Sequence, residues 1–175
     1  MYAKLFELIT DVDLLRIQII PSNQKFPIAE SPCKMYENIP LVWHKYFVRV
    51  AKLYGIQLRY RKENAYFNAR RKVICLGYKH LKDKQSIYLI KVFAHELAHA
   101  LQHGLLFSVL GYYPERNNIF PTFEHNLKFE RAAERLAYYI CKELDDTIYW
   151  HHAMFSAYRK KADVSFLQAF YKKYT

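Results

Sequence analysis

The feature that most constrains the fold is the run of residues 86–104, SIYLIKVFAHELAHALQHG, which has no proline and no glycine before its end. Serine is favoured at the start of a helix and glycine just past its end, so the run predicts one long helix. Placing successive residues about 100° apart puts His95, Glu96, His99 and His103 in one sector, with apolar side chains around the rest. The helix is therefore predicted to be buried, with one polar stripe that needs partners.

Within this helix, His95, Glu96 and His99 form the pattern HExxH. Two histidines one turn apart present their imidazoles to one zinc ion, and the glutamate between them serves as a general base. The pattern predicts hydrolysis of a peptide bond, in which zinc activates a water and Glu96 takes its proton and passes it to the leaving amine. Histidines that bind no metal are the alternative interpretation.

A catalytic zinc usually has a third protein ligand. His103 is about 12 Å from His95 along a straight helix, too far for both to share one ion with His99. The longer pattern HExxHxxGxxH would need glycine at position 102 and histidine at 105, where the sequence has glutamine and leucine. The remaining candidates are Glu130 and Glu134 in the segment FERAAERLA, which has helical spacing.

The residues HELAH, followed by a helix of the form E-x-x-A-x-x-x-A, resemble the gluzincin arrangement and most of all the small ImmA/IrrE-type peptidases. The resemblance covers about residues 41–145. It implies Glu130 as the third zinc ligand and a regulatory protein, such as a repressor of a mobile element, as substrate. The sequence departs from the family at position 134, where Glu134 replaces the usual Asp or Asn that supports a histidine ligand.

The helical geometry of this second segment also bears on the choice of ligand. Glu130 lies about 70° from the centre of the apolar face and Glu134 about 110° away. Glu130 is therefore favoured, while Glu134 as ligand and both residues as ordinary surface acids stay open. Ala133 and Ala137 leave room for the two helices to pack closely.

The predicted fold class is α+β, a single zincin-like domain over residues 1–175 with a core at about 41–145. Helical periodicity predicts further helices at about 3–19, 41–54, 126–144 and 150–171. Alternation in IQLRYRK and AYFNARRKVICLG predicts two or three short strands in a small antiparallel sheet, and residues 105–124 are expected to be irregular. Residues 68–76 are predicted to form a sheet edge that pairs with substrate, so proline at Val73 or Ile74 should weaken cleavage.

The formal charge of +11 is concentrated, with twelve Lys or Arg against two acids between positions 45 and 84. Such a surface favours anionic partners, above all nucleic acid. A nucleic-acid-associated protease similar to the SprT type, or a non-catalytic basic nucleic-acid-binding module, is therefore the alternative function. An ordinary solvated surface would explain the same charge, and the oligomeric state stays open.

The first twenty residues lack the features of a signal peptide, and no segment has the roughly 18–20 apolar residues of a membrane span. Three cysteines, Cys33, Cys75 and Cys141, show no metal-binding or disulfide spacing. A cytoplasmic protein with reduced cysteines and no membrane partner is expected. Candidates to stabilise the oxyanion of the reaction are Tyr112, Tyr113, His125, His151 and His152.

Overall fold

A computed structural model describes residues 1–20, 41–62, 64–77 and 86–144 of the 175-residue chain. Helices and strands are both present, so this part of the chain has a mixed α+β architecture, as predicted. The helices are α1 (Tyr2–Thr10), α2 (Val12–Arg16), α3 (Leu41–Leu53), α4 (Ser86–Leu110), α5 (Arg116–Ile119) and α6 (Phe123–Leu144). The strands are β1 (Gln57–Arg61), β2 (Tyr66–Asn68) and β3 (Val73–Gly77). The helix predicted at 150–171 lies outside the described residues.

Helix α4 begins at Ser86 as predicted but continues through Gly104 to Leu110. It ends at Gly111, whose φ of +74° suits glycine and whose N–H donates to the carbonyl of Phe107 at 2.8 Å. The prediction of an irregular segment from residue 105 is therefore wrong for its first part. Leu106 is buried against α1 and α5, and this burial outweighs the roughly 1 kcal/mol that a glycine costs inside a helix.

The single helix predicted at residues 3–19 is two helices, α1 and α2, separated at Asp11. The Asp11 carboxylate accepts hydrogen bonds from the backbone N–H groups of Asp13 and Leu14 at 3.0 and 3.1 Å. It caps the start of α2, while its own backbone is extended. Apolar spacing continues across the break, which explains why the sequence pattern reads as one helix.

The predicted second helix is confirmed as α3, which ends before Gly55. This glycine has φ +67°, and the N–H of Ile56 donates to the carbonyl of Ala51 at 2.9 Å. That bond, together with the left-handed glycine, is the usual way in which a helix ends. Phe47 of α3 stacks on Phe93 of α4 with ring centroids 4.5 Å apart, so α3 packs on the central helix.

The sheet has the order β1-β3-β2, with β3 parallel to β1 and antiparallel to β2. The prediction of an antiparallel sheet is therefore wrong for the β1–β3 pair. Every residue of β3 is buried, and a strand of this kind gains most from neighbours on both sides. The predicted edge at residues 68–76 is also wrong, because β3 is central and β2 is an edge strand. Proline at Val73 or Ile74 would disrupt the sheet itself.

Helices α4 and α6 pack against each other and carry the residues of the predicted metal site. Ala94 and Ala98 of α4, and Ala133 and Ala137 of α6, have no exposed surface. Small side chains at these positions let the two helices approach closely, as predicted. A glutamate of α6 can therefore reach the histidines of α4.

Two further observations concern the cysteines and the length of the apolar helices. Cys75 and Cys141 are buried free thiols, and burial raises the pKa of Cys141 above its ordinary value. Cys33 lies outside the described residues. Across the described ranges, no helix combines the length and the apolar character that crossing a membrane requires.

Candidate metal centre

Three side-chain atoms from two helices converge between α4 and α6. The Nε2 atoms of His95 and His99 are 3.1 Å apart, and the Oε2 atom of Glu130 is 3.2 Å from the first and 3.1 Å from the second. Among the described residues, these three form a group that could hold a metal ion. The structure thus brings together both predicted histidines and Glu130.

The spacing of these atoms fits a metal ion of the size of zinc. Zinc bonds to histidine nitrogen and carboxylate oxygen are about 2.0–2.1 Å long. Around a tetrahedral ion with such bonds, neighbouring ligand atoms are about 3.3–3.4 Å apart. The observed edges of 3.1–3.2 Å are close to this value, so the three atoms match one face of the tetrahedron.

The second nitrogen of His95 is occupied by Glu134, the other predicted ligand candidate. Its Nδ1 lies 3.1 Å from Oε2 of Glu134. A carboxylate can only accept, so Nδ1 of His95 can donate its hydrogen to Glu134; a neutral ring in that tautomer has its lone pair on Nε2, the atom that faces Glu130. Glu134 therefore orients a ligand from behind, the role for which the resemblance has Asp or Asn at this position.

The second nitrogen of His99 is occupied by Gln102. The Nδ1 atom of His99 lies 2.9 Å from the amide oxygen of Gln102, and both side chains are buried. The lone pair of His99 is therefore also on Nε2. The sequence analysis did not identify Gln102, although a glutamine on a helix that is otherwise apolar around the histidines is the signal that could have found it.

When both rings are neutral with their hydrogens on Nδ1, three lone-pair atoms face one another without a donor between them. These three atoms repel one another unless a cation lies among them. Burial by itself lowers the pKa of His95, but its hydrogen bonds to Glu130 and Glu134 and the charges of Glu130 and Glu96 outweigh burial, so the pKa is raised well above the usual value. A proton on His95 is thus one way to supply the positive charge, and a metal ion is the other.

The carboxylate of Glu130 is held in its charged form. Burial alone would raise its pKa, but the charges of His99 and His95 and their hydrogen bonds bring the pKa well below the ordinary range. A charged carboxylate is the form that binds a metal. Glu130 is therefore in the form that can bind a cation.

Glu96, the predicted general base, is only 7% exposed. Burial raises the pKa of its carboxyl group, against the charges of His95 and His99, which lower it. Its carboxylate accepts a hydrogen bond from the backbone N–H of Phe67 in strand β2. A raised pKa makes the Glu96 carboxylate a stronger base than an ordinary exposed one.

His103 lies one turn beyond His99 and is outside the group of three, as predicted. Its ring lies among aromatic rings, with centroids 5.7 Å from Phe129, 5.9 Å from Phe67 and 6.3 Å from Tyr113. Burial, followed by the charge of His99, lowers its pKa to about 4. The ring is therefore neutral at physiological pH.

The candidates for oxyanion stabilisation separate in the structure. The ring of Tyr113 contacts those of His103 and Phe107, whereas the hydroxyl of Tyr112 lies 3.4 Å from that of Tyr2 in α1. His125 contacts Phe6 and its Nδ1 lies 2.7 Å from the Thr122 hydroxyl. His151 and His152 lie outside the described residues.

Comparison with protein-family models, with curated proteins and with solved structures finds no match to this chain.

Proposed function

We propose that this chain is a zinc-dependent peptidase, with His95, His99 and Glu130 as metal ligands and Glu96 as general base. One observation carries the proposal: three atoms that can each bind a metal lie 3.1–3.2 Å apart, while the other nitrogen of each histidine has its own partner. Two imidazole nitrogens and one carboxylate oxygen are a ligand set of catalytic zinc, with a fourth position open for water. The ion is proposed as zinc on this ground.

In the proposed reaction, the metal when bound makes water acidic and polarises the scissile carbonyl. Glu96 accepts the proton of the attacking water and later delivers it to the leaving amine. Its burial and its hydrogen bond to Phe67 hold the carboxylate in one position. Glu134 and Gln102 keep the two imidazoles oriented through their Nδ1 atoms.

A protein or peptide substrate is proposed to bind in extended form along β2. The backbone N–H of Phe67 donates to the Glu96 carboxylate, so β2 borders the group of His95, His99 and Glu130. Among the strands that the structure describes, β2 lies at an edge of the sheet. Backbone pairing at a sheet edge accepts many sequences. The resemblance to ImmA/IrrE-type peptidases supports a cytoplasmic enzyme that cuts a regulatory protein.

Metal content of the purified protein tests the site without knowledge of the substrate. About one zinc per chain is expected for the wild type, purified without chelator and supplied with zinc. Glu130→Ala should lose most of the metal, whereas Glu124→Ala, an exposed position on the same helix, should keep it. A wild-type protein that retains no divalent metal would refute the proposal.

Glu96→Gln separates metal binding from catalysis. This variant should retain zinc, because Glu96 is not among the ligand atoms, yet it should lower hydrolysis of a peptide library by about 10²–10⁴-fold. Cleavage that is zinc-dependent in the wild type and unchanged in Glu96→Gln would contradict the assigned role of Glu96.

A second candidate is a nucleic-acid-associated protease of the SprT type, or a basic nucleic-acid-binding module without catalysis. The observation that favours it is a group of six exposed cations around β1 and the turn between β2 and β3: Arg59, Arg61, Lys62, Arg70, Arg71 and Lys72. Between positions 56 and 77 the sequence has one acidic residue, Glu63. Such a group attracts phosphates.

Binding to DNA or RNA oligonucleotides at several salt concentrations tests this candidate. The double variant Arg70→Glu/Arg71→Glu should weaken binding and reduce its salt dependence, whereas Arg135→Glu, an exposed arginine of α6, should change it less. Binding that is weak and independent of salt would leave the peptidase without a nucleic-acid partner.

A further inference from the structure

Gln102 is a fully buried amide that joins three parts of the molecule. It has no exposed surface. Its amide nitrogen donates to the backbone carbonyl of Ile9 in α1 at 3.0 Å and to that of Phe129 in α6 at 3.1 Å. Its amide oxygen lies 2.9 Å from Nδ1 of His99.

The orientation of this amide follows from its partners alone. Backbone carbonyl oxygens only accept hydrogen bonds, so the group that faces the carbonyls of Ile9 and Phe129 must be the NH₂, with its two donors. The amide oxygen of Gln102 must then face His99. The assignment does not depend on distinguishing oxygen from nitrogen by their shapes.

The orientation of Gln102 in turn determines the tautomer of His99. An amide oxygen accepts only, so Nδ1 of His99 must carry a hydrogen, and in the neutral ring Nε2 therefore has the lone pair. Nε2 is the atom that lies 3.1 Å from the Oε2 of Glu130. The tautomer that can bind a metal is thus imposed by two backbone carbonyls, through one side chain.

The two carbonyls are also significant for where they lie. Ile9 is in the last turn of α1, where backbone carbonyls lack partners within the helix. Phe129 directly precedes Glu130, the third proposed ligand. The same amide therefore joins one histidine ligand, the helix segment that carries the glutamate ligand, and the end of α1.

We propose that Gln102 is a positioning residue that holds His99 in its metal-binding tautomer and couples helix α1 to the metal centre. The inference rests on the proposed function for its metal, but the tautomer and the coupling concern residues that are present in the metal-free chain. In consequence, α1 supports the site rather than merely covering it, and disturbance of α1 reaches His99 through one hydrogen-bonded side chain.

The first test reads the tautomer directly in the full-length wild-type chain. Long-range proton–nitrogen correlation spectra distinguish a histidine with its hydrogen on Nδ1 from one with it on Nε2. In metal-free protein at mildly alkaline pH, and in the zinc-loaded form, His99 should carry the hydrogen on Nδ1. An Nε2–H tautomer in the metal-free wild type would overturn the proposal.

The second test compares Gln102→Leu with Asn126→Leu. Asn126 is a matched control, because it is also a buried amide: it accepts from Arg116 at 2.8 Å and donates to the carbonyl of Thr122 at 3.1 Å. Zinc affinity, measured by competition with a chelator, should fall about 10–100-fold in Gln102→Leu and stay near the wild-type value in Asn126→Leu. Equal zinc affinity in wild type and Gln102→Leu would mean that Gln102 only links the helices, and would refute the positioning role.

Hydrogen exchange measures the coupling to α1. Addition of zinc should slow exchange of the backbone amides of α1 in the wild type, since metal binding and α1 docking stabilise each other. Gln102→Leu should abolish that effect. If this variant does not fold, the wild-type measurement decides: exchange in α1 that is the same with and without zinc would refute the coupling. If the wild type binds no zinc, the proposed function fails, while the tautomer of His99 still confirms or refutes the role of Gln102.

Discussion

His99 and His103 lie one turn apart on α4, yet their rings have opposite surroundings. His99 has a polar partner at each nitrogen, Gln102 behind it and the atoms of His95 and Glu130 in front. His103 instead lies among aromatic rings, and burial lowers its pKa to about 4. The same residue type on the same helix is thus a metal ligand candidate in one turn and a neutral packing residue in the next.

The difference shows that spacing along a helix is necessary for a metal site but does not create one. Both histidines belong to the polar stripe of α4. The second helix decides between them, because Glu130 of α6 faces His95 and His99. A ligand is therefore defined by what approaches it from another element.

Replacing each histidine by phenylalanine gives the largest expected difference. His99→Phe should abolish stoichiometric zinc binding, because it removes one of three ligands. His103→Phe should keep about one zinc per chain, since a phenyl ring fits among the aromatic neighbours of His103. Metal analysis after gel filtration measures both, with unfolding curves in chelator to verify that each variant folds. Loss of zinc from both variants would mean that His103 is also needed for metal binding, and would contradict the difference inferred between the two histidines.

Replacing Glu134 should lower zinc affinity less than replacing a ligand does, but more than replacing an exposed acid does. Glu134→Ala removes the acceptor at Nδ1 of His95, so zinc affinity should fall about 10–100-fold. Glu134→Gln should lose less, because the amide oxygen can still accept from Nδ1. Chelator competition measures both. A larger loss of zinc affinity in Glu134→Ala than in Glu130→Ala would mean that Glu134 is the ligand and Glu130 the supporting residue.

Zinc affinity should fall as the pH is lowered through and below neutrality. In the metal-free protein, the raised pKa of His95 means that the folded chain holds this proton more tightly than the unfolded chain. That interaction stabilises the metal-free fold fully below about pH 6.5, the ordinary histidine pKa, and is lost as the pH rises through the raised value. Below the raised pKa, zinc must displace the proton, which costs about tenfold in affinity per pH unit.

Chelator competition across this range measures the slope. Glu124→Ala, which leaves the site intact, should show the same slope as the wild type. A zinc affinity independent of pH would show that His95 carries no proton in the metal-free chain.

The smallest expected effect concerns the stability contribution of His103. Its pKa of about 4 lies below the usual 6.5, so between these values the unfolded chain binds a proton that the folded chain does not. The free energy of unfolding should therefore decrease as the pH falls through this window, by roughly 1–3 kcal/mol. His103→Phe should flatten that part of the pH profile in denaturant titrations with chelator. An unchanged profile would mean that His103 titrates in the folded protein as it does in water.

Several elements could be predicted because they depend on local sequence. The start of α4, the end of α3 at Gly55 and the two strands 66–68 and 73–77 follow from apolar periodicity and turn residues. The break at Asp11 was missed, because a capping side chain interrupts the helix without interrupting its apolar spacing. The extension of α4 past Gly104 was missed because it depends on burial of Leu106 by other elements.

The order of the strands could not be predicted from their alternation. A strand pattern shows which faces are buried but does not show which strand lies beside it, or in which direction. The central position of β3 places β2 at the edge beside Glu96. For this reason the sheet edge proposed to bind substrate is β2, and not residues 68–76 as the sequence predicted.

The sequence by itself determined the chemistry that is possible here. The spacing of His95, Glu96 and His99 puts two imidazoles and a carboxylate in one sector of one helix, because a helix repeats about every 3.6 residues. It also supplied two glutamates on a second helix without deciding between them. These are consequences of local geometry, which short-range sequence encodes.

Only the tertiary structure decided which atoms meet. It puts Glu130 in front of the two imidazoles, Glu134 behind His95, and Gln102 between His99 and the carbonyls of α1 and α6. Those contacts join residues from 3 to 93 positions apart. The neutral tautomer of His99 follows from the orientation of Gln102, which the two carbonyls of other helices determine, because the nitrogen that can bind a metal is the one without a hydrogen.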